Sequence, residues 1–205
     1  MRATTSSVPP SRGPADHTVR DQIVEAAGEH FSRYGYEKTT VSDLAKSIGF
    51  SKAYIYKFFD SKQAIGEAIC SKALSGIIAT VEDAVAAATT PTEKFRRMFK
   101  VLVATGVSLH FNDRKLYDIA AHAASEQWPS VRVYCERITH LLAEIVREGR
   151  ESGEFERKTP LDETVQAIDL VVQPYVNPLL LQYNLDVAEE APARLSSLVL
   201  RSLAR

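Results

Sequence analysis

Apolar residues recur along most of the chain at the spacings of three and four positions that a helix needs to face a core. The strict alternation of apolar and polar residues that marks half-buried strands is almost absent. The pattern therefore predicts an all-α fold. The predicted helices span residues 17–34, 41–48, 52–59, 62–88, 92–111, 113–125, 129–151, 161–182 and 191–204.

Local signals support several of these helix ends. Gly35 follows the first helix as a left-handed cap. The stretch from Thr40 to Asp43 reads as an N-terminal cap with an acidic residue three positions later. Pro174 and Pro178 lie inside the predicted helix 161–182, where each removes an N–H donor, so we expect that helix to kink or end there.

The helices divide into a small and a large unit. Residues 1–16 are rich in Ser, Thr and Pro and have few apolar positions, which predicts a disordered tail. Residues 17–61 contain three short helices, and residues 62–205 contain the remainder. We expect the second unit to be a larger helical domain because its apolar helices are long.

The small unit has the pattern of a helix-turn-helix. Its second helix carries an apolar stripe, Val41 to Ile48, and Gly49 permits the positive φ of a tight turn. Ser51 can cap the third helix, whose Ile55 and Phe59 are four positions apart and can face the core. The residues left on its outer faces are Lys52, Ala53, Tyr54, Tyr56 and Lys57.

Local charge agrees with a nucleic-acid surface. Residues 38–62 contain five lysines and two aspartates, a balance of +3 in a chain whose net charge is −1. Lysine and tyrosine side chains bind phosphates, and tyrosine rings can contact thymine methyls or sugars. The alternative interpretation is a small helical subdomain whose lysines are merely solvated.

The segment 31–65 resembles the N-terminal DNA-binding domain of the TetR-type (tetracycline-repressor-like) bacterial transcription regulators. The chain departs from the usual pattern at Phe50, Ala53 and Tyr54, so the resemblance does not supply the operator sequence. The residues that carry it are Phe31, Gly35, Tyr36, Thr39, Thr40, Val41, Leu44, Ala45, Gly49, Ser51, Tyr56, Phe59 and Lys62, in register without a gap.

The resemblance implies roles for individual residues. Thr40 would hold a phosphate at the start of the second helix, and Lys52, Ala53 and Tyr54 would face base edges. Further members of the implied DNA-binding set are Ser51, Tyr56, Lys57 and Lys62, the last three as phosphate contacts. The resemblance also implies a homodimer whose large domain binds a small effector, most often a repressor that the effector releases from its operator.

Polar and aromatic residues within the apolar helices of the large domain are candidates for contacting that effector. We expect an apolar or aromatic molecule, because these helices carry few charges. For each candidate the alternative is ordinary packing in the core or on the surface. The candidates are His110, Tyr117, His122, Trp128, Tyr134, Gln173 and Tyr175.

A bundle-type apolar seam with alternating spacings of four and three suggests where the dimer forms. The final helix is also apolar on more than one side, although a wholly intrachain bundle is the alternative. The predicted interface comprises Leu161, Val165, Ile168, Val172, Tyr175, Leu179, Leu195, Leu198 and Val199.

Other functional classes receive less support. The chain shows no glycine-rich phosphate loop, no Gly-x-Ser-x-Gly and no His-Glu-x-x-His, although a small helical enzyme and an effector-less architectural DNA-binding protein remain alternatives. We expect no cofactor and no metal site, because His122–Glu126 and His140–Glu144 each lack a third ligand. Two distant cysteines and the lack of a bilayer-length apolar run predict a cytoplasmic protein without a membrane partner.

Overall fold

The computed structural model describes residues 14–205, with side chains from residue 18 onward. In this range every extended regular element is a helix, which confirms the all-α prediction, and the one strand-like pairing is an isolated bridge between Phe155 and Ala204. The helices are α1 Pro14–Tyr34, α2 Val41–Ile48, α3 Lys52–Ile55, α4 Lys62–Ala86, α5 Pro91–Asn112, α6 Arg114–Ser125, α7 Pro129–Ser152, α8 Leu161–Val176, α9 Pro178–Leu181 and α10 Ala191–Leu203.

The structure corrects some predicted helix boundaries and confirms others. The third helix ends at Ile55, because the amides of Lys57 and Phe58 bond three residues back and tighten the chain into turns. The interruption expected at Pro174 and Pro178 is confirmed, because α8 ends at Val176 with Pro174 in its last turn and α9 begins at Pro178. The predicted tail 1–16 lies mostly outside the described residues, and its residues 14–16 belong to α1.

Two hydrophobic clusters organise the helices. One cluster lies among α5, α7, α8 and α10 with the later part of α4, and it forms the core of the large domain. The other joins α1, α2 and α3 to Ile65 of α4, Ile119 of α6 and Trp128, which immediately precedes α7. Packing of the small unit therefore continues beyond residue 61, and α4 belongs to both clusters.

Helix α4 is long and apolar enough, by length and composition alone, to cross a bilayer. The expectation that no apolar segment reaches that length is therefore wrong for α4. A core helix of a soluble protein passes the same test, and α4 packs extensively against α5 and α7.

Candidate nucleic-acid interface and ligand cavity

Reciprocal hydrogen bonds fix the start of α2. The Asp43 carboxylate accepts from the Thr40 amide at 2.9 Å and from the Thr40 hydroxyl at 2.6 Å, while the Thr40 hydroxyl oxygen accepts from the Asp43 amide at 3.2 Å. Hydrogen bonds from Thr40 favour the ionised carboxylate and lower the pKa of Asp43. The predicted capping box is confirmed, and it holds the exposed end of α2 in one geometry.

The turn between α2 and α3 also forms as the sequence indicates. Gly49 has a φ of +79°, and the Phe50 amide closes the end of α2 on the Ala45 carbonyl at 2.9 Å. The Ser51 hydroxyl accepts from the Tyr54 amide at 3.1 Å and caps α3. Ile55 is fully buried beneath the turn, so the short α3 is anchored on the core of the small unit.

The outer surface of this unit is basic and aromatic. Lys52, Ala53, Tyr56 and Lys57 are exposed. The Lys52 ammonium lies 5.8 Å from the centre of the Tyr56 ring. These side chains share the face that a DNA duplex would meet if α3 entered its major groove.

Tyr54 is held more tightly than its exposed neighbours. Its ring makes edge contacts with Phe50 and Phe58, with centroid distances of 5.1 and 5.4 Å. The Lys57 ammonium lies 5.5 Å from the Tyr54 ring centre. Sequence reasoning missed the supporting roles of Phe50 and Phe58, although the spacing of four residues among the three aromatics was a usable signal.

Lys62 occupies a different environment from Lys52 and Lys57. Its ammonium donates to the Tyr36 carbonyl at 3.2 Å and lies 4.3 Å from the centre of the Tyr36 ring. A phosphate contact by Lys62 would compete with these interactions. The phosphate role of Lys62 therefore stays a prediction, one in which the lysine must give up its present partners.

The large domain contains a cavity of about 190 Å³ bounded by the six helices from α4 to α9. Most of its lining is aliphatic, with Leu74, Ile77, Leu102 and Leu109 among the contributors. The candidates for effector contact that line this cavity are Tyr117, Tyr134 and Gln173.

A row of polar side chains on α8 faces this cavity. The Gln173 amide nitrogen donates to the Asp169 carboxylate at 3.1 Å, and the Asn177 amide nitrogen donates to the Gln173 side-chain oxygen at 3.4 Å. The Tyr117 hydroxyl donates to the Pro178 carbonyl at 2.5 Å, and burial raises the pKa of Tyr134. Asp169 and Asn177 were missed, although they lie four residues on either side of Gln173.

The other effector candidates do not line this cavity, and their role in binding an effector stays a prediction. The Arg114 guanidinium lies 3.0 Å from His110 Nε2. Two effects lower the pKa of His110: the larger is partial burial, and the smaller is the positive charge of Arg114. Tyr175 packs on Phe99 in the core of the large domain. The remaining two, His122 and Trp128, lie instead at the junction of the two units.

That junction is built around Tyr36, whose pKa burial raises to about 12. The Tyr36 ring contacts the rings of His122 and Trp128, with centroid distances of 5.3 and 5.6 Å. His122 Nδ1 also lies 3.2 Å from the Glu37 carboxylate. Gly66 of α4 lies against the same indole, and an added Cβ there would come within 2.8 Å of Trp128 Cη2.

Three residues of the predicted dimer seam point into the core of their own subunit rather than toward a partner. Val165, Ile168 and Val172 are buried inside the subunit core, so they are not available to a partner. Their regular spacing reflects packing of α8 on its own bundle. Of the remaining predicted interface residues, Val199 is buried, Leu161, Tyr175, Leu179 and Leu195 are partly buried, and Leu198 is exposed.

Leu198, which belongs to the predicted interface, and Leu170, which does not, reach the surface on the same helices. Leu170 on α8 is 74% exposed and Leu198 on α10 is 54% exposed. Helices α8 and α10 contact each other within the subunit. An interface that covers both helices would bury Leu170 and Leu198 rather than Val165, Ile168 and Val172.

A helix-turn-helix with a basic aromatic face, joined by one long helix to a helical domain with a cavity, is the architecture of a DNA-binding regulator. Comparison with known families agrees. The profile of the tetracycline-repressor-like C-terminal domain matches residues 91–197, just over half of the chain. The profile of bacterial regulatory proteins of the tetR family matches residues 23–69. The chain therefore belongs to the TetR family.

Individual relatives are transcriptional regulators. The negative transcriptional regulator of the biofilm operon icaADBC, IcaR of Staphylococcus aureus, is 45% identical over 49 residues, which are 24% of this chain and 26% of IcaR. The chain thus matches about a quarter of the length of that relative. The probable transcriptional regulator YttP of Bacillus subtilis is 25% identical over 166 residues, 78% of this chain and 79% of YttP.

A solved structure reproduces the fold over nearly the whole chain. The transcriptional regulator FadR from Bacillus subtilis, in complex with stearoyl-CoA, superposes with a TM-score of 0.63 at 22% identity. The match covers 90% of this chain and 97% of FadR. At this identity the likeness establishes the fold and not the ligand.

Proposed function

We propose that this protein is a homodimeric, sequence-specific repressor of transcription that a small molecule releases from its operator. The observation that carries the proposal is the course of α4. Near its start, Gly66 packs against Trp128 at the junction with the helix-turn-helix unit. One to three turns later, Cys70, Leu74 and Ile77 line the cavity. One continuous helix thus contacts both the junction with the DNA-binding unit and the ligand cavity.

Repression rather than activation is supported by the relative IcaR, a negative transcriptional regulator that is 45% identical to this chain over 49 residues. The cavity supports an effector-controlled protein over an architectural DNA-binding protein, which has no need of a ligand site. The proposal assigns no catalytic residue and no cofactor, and it places the protein in the cytoplasm, on the nucleoid when bound to DNA.

Thermodynamic linkage defines how control would work. A ligand that fits the cavity better in one placement of α4 shifts the protein toward that placement. The dimer presents two α3 helices to the DNA, one from each subunit. If the favoured placement of α4 sets these helices at a spacing that differs from the spacing of the two operator half-sites, operator affinity falls. By reciprocity the operator weakens ligand binding by the same factor, with a coupling on the order of 1–3 kcal/mol.

A gel-shift experiment tests the function. Duplexes covering the DNA that flanks the protein's own gene are titrated with purified protein, and the retained duplex is titrated again with a panel of apolar and aromatic small molecules. We expect one duplex to be retained over random competitor DNA and at least one compound to release it. Retention of every duplex with equal affinity, or of none, would contradict the proposal.

Gly66→Ala tests the role of α4. The added methyl group must push either α4 or the Trp128 ring, because the Cβ would lie 2.8 Å from the ring. We expect operator affinity to change by fivefold or more, in the range of allosteric couplings, while helical content by circular dichroism is retained.

Gly76→Ala is the matched control for that substitution. Gly76 lies on the same helix, and an added Cβ there meets nothing within 4 Å. Ala favours a helix over Gly by about 0.8–1 kcal/mol, so this control should stabilise the fold slightly and leave operator affinity unchanged. Equal operator affinities of the two variants would remove the junction from the mechanism.

A further inference from the structure

The charge of the cavity lining is one-sided. Among the residues that line the cavity, Asp169 is the one side chain that is normally charged at neutral pH, and no lysine, arginine or histidine lines it. The remaining polar groups are neutral amides, hydroxyls and thiols, such as Gln173, Thr139 and Tyr134. The cavity therefore presents one negative charge and no positive charge to a bound molecule.

Asp169 has no oppositely charged partner among the side chains that the structure describes. Its carboxylate accepts hydrogen bonds from the Gln173 amide, at 3.2 and 3.1 Å. None of the ion pairs found between residues 18 and 205 includes it. A carboxylate next to an apolar, partly desolvated space gains most from a cation that brings its own hydrogen-bond donors.

The negative charge of Asp169 also affects the thiol of Cys135. The pKa of Cys135, which also lines the cavity, is raised by burial and next by the negative charge of Asp169. An anion in the cavity would meet the repulsion that disfavours the Cys135 thiolate. A carboxylate or phosphate head group in contact with Asp169 is therefore unfavourable, and a protonated amine is favourable.

Volume limits the part of the ligand that can be enclosed. A dry aliphatic cavity of about 150 Å³ binds benzene, and this cavity is about 190 Å³. One aromatic ring or a short alkyl chain therefore fits inside. The hydrogen-bonded side chains of Asp169, Gln173 and Asn177 lie along one side of the cavity, where the polar head group of a ligand would lie.

We propose that the effector is a small apolar amine, with its aromatic or alkyl body among the aliphatic residues and its protonated nitrogen on the Asp169 carboxylate. This inference rests on the proposed function, because it specifies the ligand of the same regulatory cavity. It also sets this protein apart from FadR, the structural neighbour solved with stearoyl-CoA, a ligand whose phosphates are anionic.

Three probes of equal shape and different charge test the inference. Phenylbutylamine, phenylbutanol and phenylbutanoate are titrated into the full-length wild-type protein by calorimetry at neutral pH. We expect one amine per subunit, bound at least tenfold more tightly than the alcohol, with the carboxylate weakest. Equal or tighter binding of the carboxylate, or binding of none of the three, would overturn the inference.

Two variants assign the preference to its residue. Asp169→Asn keeps the shape of the side chain and removes the charge, so the amine should lose its advantage over the alcohol. Asp186→Asn removes the charge of an exposed aspartate that does not line the cavity, and should keep the advantage. A folded Asp169→Asn protein with the full preference would overturn the inference, and if it does not fold, the wild-type comparison decides.

The ligand class and the proposed function fail in different ways. A wild-type protein that retains operator DNA but ignores the amine overturns the ligand class alone. A protein that binds the amine yet retains no flanking duplex overturns the regulatory function and leaves the chemistry of the cavity in place.

Discussion

Leu198→Arg is expected to give a folded monomer that loses at least a hundredfold in operator affinity. Leu198 on α10 is about half exposed in the subunit, and Leu170 on the contacting helix α8 is more exposed. Burying an unpaired guanidinium in a dimer interface costs several kcal/mol, which prevents association. A monomer presents one recognition helix, and the loss of the second removes a bivalent advantage of about 10²–10⁴.

Val172→Arg is the contrasting substitution. Val172 was the centre of the interface predicted from sequence, but it is 7% exposed and lies within the subunit core. An arginine there should unfold the subunit rather than separate two folded ones. Light scattering gives the mass of each variant, and circular dichroism gives its helical content. A Leu198→Arg protein that stays a dimer with full operator affinity would place the interface elsewhere.

The double variant Tyr56→Phe, Lys57→Ala is expected to lose affinity for all DNA sequences. Both side chains are exposed on the helix-turn-helix face, and neither is buried in its core. A hydrogen bond to a charged group is worth about 1.5–3 kcal/mol, and a dimer loses each phosphate contact twice. Loss of the Lys57 contact should also flatten the salt dependence by about one unit of slope per subunit.

Fluorescence anisotropy with operator and random duplexes at several salt concentrations measures both effects. Tyr54→Ala is the comparison, because Tyr54 is assigned to base edges. It should change the ratio of operator to random affinity more than the salt slope. If a folded double variant binds operator and random DNA like the wild type, the helix-turn-helix of this protein is not its DNA-binding surface.

Much of the small unit could be predicted because its signals are local. The cap at Thr40, the glycine turn at Gly49 and the cap at Ser51 each depend on a few neighbouring residues, and all three form. The burial of Ile55 and Phe59 followed from their spacing of four residues, which puts both side chains on the same side of the segment. The end of α3 was missed because turns and helix share backbone angles over so few residues.

The large domain was less predictable because its contacts are between distant helices. Apolar residues at helical spacing show that a face is buried, but they do not show whether the covering helix belongs to the same subunit. Val172 was misassigned for this reason, and the exposed Leu170 was overlooked on the same helix.

Cavity residues pose the same difficulty. Tyr117, Tyr134 and Gln173 were found as polar groups among aliphatic ones, and the same rule also selected His122 and Trp128, which pack at the junction instead. Whether such a group faces empty volume depends on the side chains opposite it. That information is spread over several helices and is absent from any single stretch of sequence.

The central claim is that occupancy of the cavity controls operator affinity, and Ala120→Phe tests it most directly. Ala120 lines the cavity, so a phenyl group there fills the space that a ligand needs. Ala104→Phe is the control, because Ala104 is exposed on α5 and does not line the cavity.

Operator affinity of both variants and the wild type is measured with and without the compound that releases the operator. We expect the compound to weaken wild-type and Ala104→Phe binding by about 5–150-fold, and Ala120→Phe binding less than about twofold, since a filled cavity leaves the ligand no differential affinity for two states. Equal release of all three proteins would contradict the account.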